Sequence, residues 1–221
     1  MSHTNNLSVA AKSPDKIMLL GDVHGDYRHV VSACKNYPNH TVFQVGDLGI
    51  IPQVGGMTAQ TPFPDNFCFI RGNHDCPDEV QYHKAYLGDY GWFLYKGEPL
   101  MYIGGAYSID NLRRVAGHDW FPREELTREQ ALECLEMYEK VKPAIVVTHE
   151  APNFLHSNLL EWAGKRGAQV FNNNTALLFN TMFARHKPRH WYHGHWHLSY
   201  RHQISGCEFV GIGINDIVDI S

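Results

Sequence analysis

No apolar run in this chain approaches the roughly 18 residues that a membrane-crossing helix needs, so no membrane partner is expected. Met1 to Asp15 is polar and lacks the apolar centre of a secretory signal. It reads as a flexible lead-in (1–15) to one domain spanning 16–221. Cysteine is sparse and shows no paired spacing. Cys34, Cys68, Cys76, Cys134 and Cys207 form an odd set, which argues against a disulfide framework and points to reduced thiols in a cytoplasmic protein. Charge is scarce too, at 19% of 221 residues with a net charge of −4. Nucleic acid therefore stays open as a substrate but is not indicated by bulk charge. Repeats, low-complexity tracts and interdomain linkers are lacking, and the length suits a single large domain.

What the chain has in quantity is histidine, 15 residues, several of them beside Gly and Asp. The apolar pattern explains where they fall. Ile17-Met18-Leu19-Leu20 stops abruptly at Gly21-Asp22-Val23-His24-Gly25-Asp26, as a buried strand stops at the edge of a sheet. Tyr27 to Asn36 carries apolar residues at helical spacing and is closed by Tyr37-Pro38-Asn39. Thr41 to Val45 is β-branched and aromatic and ends in Gly46-Asp47. Asn66 to Ile70 is similar and runs into Arg71-Gly72-Asn73-His74-Asp75, with Leu48 to Pro64 as loop between them. Trp92–Tyr95 and Leu100–Ile103 read as a hairpin across Gly97. Thr127 and Gln130 form a capping box ahead of a helix with Ala131, Leu132, Leu135 and Tyr138 on one face. Ala144 to Val147 is an apolar strand ending in Thr148-His149. Asn174 to His186 is amphipathic, with Ala176, Leu177, Phe179 and Phe183 as its inner side. His190-Trp191-Tyr192 ends in His193-Gly194-His195-Trp196-His197, and two strands near 198–204 and 207–212 close the chain.

Strands alternating with helices or loops predict an α/β domain with its site at one sheet edge, where ligands sit in such folds. At that edge stand Asp22 and His24, Asp47, Asn73 and His74, His149, and His195 and His197. Carboxylate, amide oxygen and imidazole make a donor set for borderline divalent metals. With no cysteine among them, a thiolate-closed structural zinc site is not expected. The donors outnumber what one metal needs, and a pair sharing a carboxylate, about 3.5–4 Å apart, suits hydrolysis at phosphorus.

These residues resemble the signature of the calcineurin-like metallophosphoesterases: Asp-x-His, Gly-Asp, Gly-Asn-His-Asp, a lone His, then Gly-His-x-His, in this order from Asp22 to His197. The resemblance implies a four-layer α/β/β/α sandwich with two mixed β-sheets and a dimetal site at the strand ends. It implies that Asp22, His24 and His197 bind one metal, that Asn73, His149 and His195 bind the other, and that Asp47 bridges them. The cofactors it implies are two divalent or trivalent ions, Mn2+, Fe2+/Fe3+ or Zn2+, with Mn2+ favoured. His74 matches the catalytic histidine that protonates the leaving group or steadies the phosphoryl charge, with Asp75 orienting it. Arg71 stands where an arginine of the protein Ser/Thr phosphatases grips the substrate phosphate.

The chain departs from two branches of that family. Ile50 stands where purple acid phosphatases carry a Tyr ligand, and Leu48-Gly49-Ile50 replaces the Asp-Arg-Gly of protein Ser/Thr phosphatases. The loop holding Ser108, Asp110, Arg113, Arg114, His118 and Trp120 is cationic and aromatic, and either clamps a phosphate or is plain solvated loop. The expected activity is phosphomonoester hydrolysis on a protein or small molecule. The alternatives are a phosphodiesterase for nucleotides, cyclic nucleotides or nucleic-acid ends, and a scaffold that keeps the fold without turnover. His3, His29, His40, His83, His156, His186 and His202 read as surface residues.

Overall fold

A computed structural model describes residues 14–166, 168 and 173–221 of the chain; most of the expected lead-in lies outside these residues. The short apolar runs become strands β1 (Ile17–Leu20), β2 (Thr41–Gln44) and β3 (Phe67–Phe69). β2 pairs in parallel with both β1 and β3. A strand not expected from the sequence, β10 (Ile217–Asp219), joins β1 antiparallel and completes the order β10-β1-β2-β3. The second sheet runs β4-β5-β6-β7-β9-β8. It is built from β4 (Tyr90–Tyr95), β5 (Glu98–Ile103), β6 (Ile145–Thr148), β7 (His190–His193), β8 (Tyr200–Ile204) and β9 (Cys207–Gly211). The β4–β5 hairpin turns at Lys96 and Gly97, both at positive φ, and is antiparallel, whereas β5, β6, β7 and β9 are parallel.

Side-chain alternation along each strand sorts the core into three layers. Ile17, Leu19 and Phe43 of the first sheet face Leu100, Tyr102, Ile145, Val147, Tyr192 and Val210 of the second. The opposite faces are covered by helices. Val42, Phe67 and Phe69 pack on Val30, Ala33 and Cys34 of α1 (Tyr27–Asn36) and on Val80 of α2 (Pro77–Val80). Met101, Val146, Trp191 and Phe209 pack on α3 (Arg128–Val141), α4 (His156–Trp162) and α5 (Asn174–Arg185). Helix, sheet, sheet, helix is thus the observed layering, with two mixed sheets.

Local capping sets where the helices begin and end, and the expected Thr127/Gln130 box is present. Asp26 caps α1, accepting from the His29 N–H at 3.0 Å. The Thr127/Gln130 capping box opens α3, and Lys142 in the left-handed region closes it. Leu132 and Leu177, expected on inner faces, are instead exposed at 56% and 42%. Tyr138, Ala176, Phe179 and Phe183 are buried as expected and are joined by Cys134 and Met182, because the stripe that meets the sheet is turned slightly from the one the apolar pattern suggests. Two histidines read as surface residues, His83 and His156, are buried. The cysteines are all free and buried. Burial pushes the Cys34 thiol up to about 11, which keeps it inert at neutral pH. Among the described residues, no helix is long and apolar enough to cross a membrane.

Candidate metal centre and active site

Register brings the motifs together. Leu20 lies opposite Gln44 and Gln44 opposite Phe69 in one sheet, while Ile103, Thr148 and His193 are aligned in the other. Parallel strands that end level deliver their following loops to one edge, so Asp22, Asp47, Asn73, His149 and His195 emerge side by side.

Two donor groups form there. Asp22, His24, Asp47 and His197 offer atoms all within 4.8 Å of one another, and so do Asp47, His149 and His195. His197 Nε2 is 3.2 Å from Asp22 Oδ2 and 3.0 Å from His24 Nε2. His149 Nε2 lies 3.2 Å from both Asp47 Oδ1 and Asn73 Oδ1. Its Nδ1 faces the Val45 carbonyl at 2.9 Å, which fixes the tautomer with the proton on Nδ1 and leaves Nε2 as the free donor atom. Asp47 belongs to both groups.

The chemistry of this cluster fits cations. Asp22 and Asp47 are 0% and 1% exposed, and the only side-chain cations near them among the described residues are imidazoles. Buried carboxylates are normally paired or bound to metal. Burial opposes a charge on His149, yet the Asp47 carboxylate outweighs it and pushes His149 up to about 10. Asp47 is held far below the ordinary range in return: burial would raise it, and His149, His74 and His24 overcome that. A buried site that draws positive charge this strongly onto its imidazoles has the donor chemistry of a cation site.

The backbone is bent to achieve this. Of the non-glycine residues at positive φ, His24, Asp47, His195 and His197 are all donors of the cluster, and such strain concentrates at functional sites. Gly72 matters for a related reason. A Cβ there would collide with Asp47 Oδ1 and His149 Nε2, so the loop can pass the cluster only without a side chain.

His74 sits beside the shared carboxylate. Its backbone N–H donates to Asp47 Oδ1 at 2.8 Å, and its ring lies edge-on to His24 with centroids 5.1 Å apart. Asp75 does not orient it, contrary to the sequence expectation. Asp75 Oδ1 accepts the N–H groups of Gly49 and Ile50, and Oδ2 those of Leu48 and Gly72. Asp75 therefore ties the Asp47 loop to the Asn73 loop. Asp75→Asn is expected to lower the melting temperature by about 6–12 °C, because misdirecting such a carboxylate costs about 3 kcal/mol. Thermal unfolding checks this, and turnover at low temperature should be little changed.

The group facing His74 is Arg114, whose Nη1 and Nη2 lie 2.9 and 3.0 Å from its ring nitrogens while Nη2 also donates to Asp110 at 2.8 Å. Burial lowers the His74 pKa, the Asp47 carboxylate opposes, and Arg114 lowers it again. Arg71 is a correction. Its guanidinium is 2% exposed, pairs with Asp89 and donates to the backbone carbonyls of Glu124 and Glu125. Buried and absent from the lining of the cleft, it does not present its guanidinium to a phosphate there. Arg113 is exposed and does not line the cleft.

The cluster opens onto a cleft of about 570 Å³. Asp47, Asn73, His74, Arg114, His195 and His197 share its lining with Ile109, Leu160, Ala163, Lys165 and Trp196. A buried acid beside His195 escaped the sequence reading. Glu150, 1% exposed, accepts from Trp196 Nε1 at 2.8 Å and Asn173 Nδ2 at 3.1 Å and lies 3.6 Å from His195 Nε2. It follows His149 directly, and that adjacency was the one signal available.

A layered α/β/β/α sandwich with a histidine–carboxylate cluster on its aligned strand ends defines a metal-dependent hydrolase class. The profile of the calcineurin-like phosphoesterases matches residues 15–199, and the chain belongs to that family. It is accordingly a metallophosphoesterase, an enzyme of metal-dependent phosphoester hydrolysis. Comparison with curated proteins finds no match. Among solved structures, the phosphopantetheinyl hydrolase of Mycobacterium tuberculosis has a TM-score of 0.51 at 12% identity, covering 94% of this chain and 96% of that one. A putative 5'-nucleotidase from Staphylococcus aureus has a TM-score of 0.56 at 14% identity, covering 93% of this chain and 50% of that one. The TT1561 protein of Thermus thermophilus has a TM-score of 0.52 at 12% identity, covering 91% of this chain and 90% of that one. These likenesses are of fold.

Proposed function

We propose that the protein is a phosphomonoesterase for small phosphorylated molecules. The carrying observation is the cleft: its volume of about 570 Å³ suits a small-molecule ligand, and residues of the cluster form part of its lining. In this reading Asp22, His24 and His197 hold one ion, Asn73, His149 and His195 the other, and Asp47 both, with Mn2+ favoured. Two such ions supply Lewis-acid charge for the phosphoryl oxygens and make water acidic enough to attack at neutral pH. Arg114, a planar bidentate donor on the cleft wall, receives phosphate oxygens. His74 donates a proton or hydrogen bond to the departing oxygen. Trp196, Leu160, Ala163 and Ile109 offer apolar surface to the body of the substrate, and Lys165 adds a cation near it. The five buried thiols support a reducing, cytoplasmic setting.

The test is Mn2+-dependent turnover of p-nitrophenyl phosphate against its bis ester, followed by a panel of small phosphomonoesters, phosphopeptides, cyclic nucleotides and short oligonucleotides. Preference for the monoester and for small panel members is expected. Higher kcat/KM on the bis ester or cyclic nucleotides would establish the phosphodiesterase reading instead, and phosphopeptide preference would exclude a small-molecule substrate.

A further inference from the structure

Asn73 raises a question of chemistry that the metal donors around it do not. An amide has an oxygen that can bind a cation and a nitrogen that cannot, and the two ends are nearly the same shape. Sterics alone would let either end face His149 Nε2. We infer that Ser108 and Glu124 are positioning residues that decide the matter, forcing the Asn73 oxygen toward the second metal position.

The three side chains are buried, at 2%, 1% and 3% exposed, so each polar atom must find its partner within the protein. Glu124 Oε1 accepts the Ser108 backbone N–H at 2.6 Å, and Oε2 accepts the Ser108 hydroxyl at 2.7 Å. A carboxylate only accepts, so the single hydroxyl proton of Ser108 is committed to it. Ser108 Oγ then has lone pairs alone to offer. The Asn73 atom touching it at 2.9 Å is therefore the donor, Nδ2, and Oδ1 is turned to His149 Nε2 at 3.2 Å. A flipped amide would set oxygen against oxygen at Ser108 and point an NH2 group where a cation belongs.

Arg71 completes the device. One residue before Gly72-Asn73, it donates to the backbone carbonyl of Glu124, so the strand end that carries Asn73 also anchors the segment that carries Glu124. This gives the buried guanidinium a task in place of the phosphate grip expected from the sequence.

The inference rests on Asn73 being a metal ligand, and the experiment separates the two. Mn2+ is titrated into the metal-free protein by calorimetry, with low-temperature EPR distinguishing single ions from coupled pairs. Asn73→Ala is expected to weaken only the second binding step. Glu124→Gln keeps the shape but donates to Ser108, reversing the relay. It should leave the first step unchanged and weaken the second by about 10–100-fold, the usual cost of losing a partner that orients a ligand. Ser108→Ala should weaken the second step as well, by less.

The decisive arm is the Asn73→Asp background, whose carboxylate has no wrong end. There Glu124→Gln should cause no weakening, since the reversed relay lets Ser108 donate to the new carboxylate. An equal loss in both backgrounds would show a structural role only and overturn the inference. So would an unchanged second step in Glu124→Gln when Asn73→Ala weakens it. An unchanged second step in Asn73→Ala would remove the ligand reading itself and the inference with it.

Discussion

Asp47→Asn is expected to uncouple the two halves of the site, with loss of one or both bound ions and a fall in kcat of about 10³-fold, the upper range for removing one preorganised electrostatic group. Asp47 is the only carboxylate common to both donor groups. Its Oδ1 is 3.2 Å from His149 Nε2 and its Oδ2 3.9 Å from His24 Nε2, so each oxygen serves a different side. Asparagine fills the same volume but keeps one oxygen and no charge. The fold should survive, because the neutral amide needs no counter-charge where it is buried. Without Asp47, His149 loses the largest influence that raises its pKa, against the burial that lowers it. Metal analysis beside steady-state kinetics checks this. Full occupancy by two ions with near-normal turnover would dismiss Asp47 as the shared ligand.

His74→Asn is expected to leave metal content intact while lowering turnover by about 10²–10⁴-fold on substrates with poor leaving groups, the range for a lost general acid. The imidazole belongs to neither donor group, and only the backbone N–H of residue 74, which asparagine retains, meets Asp47. An alkyl phosphate expels a strongly basic alkoxide that needs a proton, whereas p-nitrophenolate leaves without one. Plotting log kcat against leaving-group pKa for wild type and variant reads this directly. A steeper slope in the variant is expected. Parallel lines would assign His74 to the phosphoryl oxygens, a role its neighbour Arg114 could share, and loss of metal would make it a ligand.

Short-range features were legible in the residues. Asp22, His24, Asp47, Asn73, His149, His195 and His197 each follow an apolar run, and a strand that stops at Gly and a polar pair is a local pattern. The Thr127/Gln130 box and the Lys96-Gly97 turn are equally local. β10 was missed because Ile217-Val218-Asp219 is too short to show alternation and is a strand only by pairing with β1. His156 looked like a surface residue because its partner Glu150, 3.5 Å away, belongs to the segment ahead of α4 rather than to a helix face.

The role given to Asp75 failed for an instructive reason. Adjacency to His74 suggested a partner, but successive side chains diverge, and Asp75 turns back to N–H groups of residues 48, 49, 50 and 72. Arg71 failed likewise, since position beside a motif says nothing of where a long side chain finds its counter-charge. Asp89 and Glu124 come from other segments and only packing reveals them, while Ser108 and Arg114 were legible as members of a candidate loop but gain their partners only in the fold.

By itself, the sequence determined which residue types stand at the strand ends, and hence the class of chemistry, because ligand identity and strand pattern are properties of neighbouring residues. The tertiary structure alone decided what surrounds those ligands: Arg114 over His74, Ser108 and Glu124 behind Asn73, and apolar side chains sharing the cleft with the cluster. Hydrogen-bond direction and counter-charge depend on groups brought from 35 to 53 positions away, and no local pattern in the chain encodes that meeting.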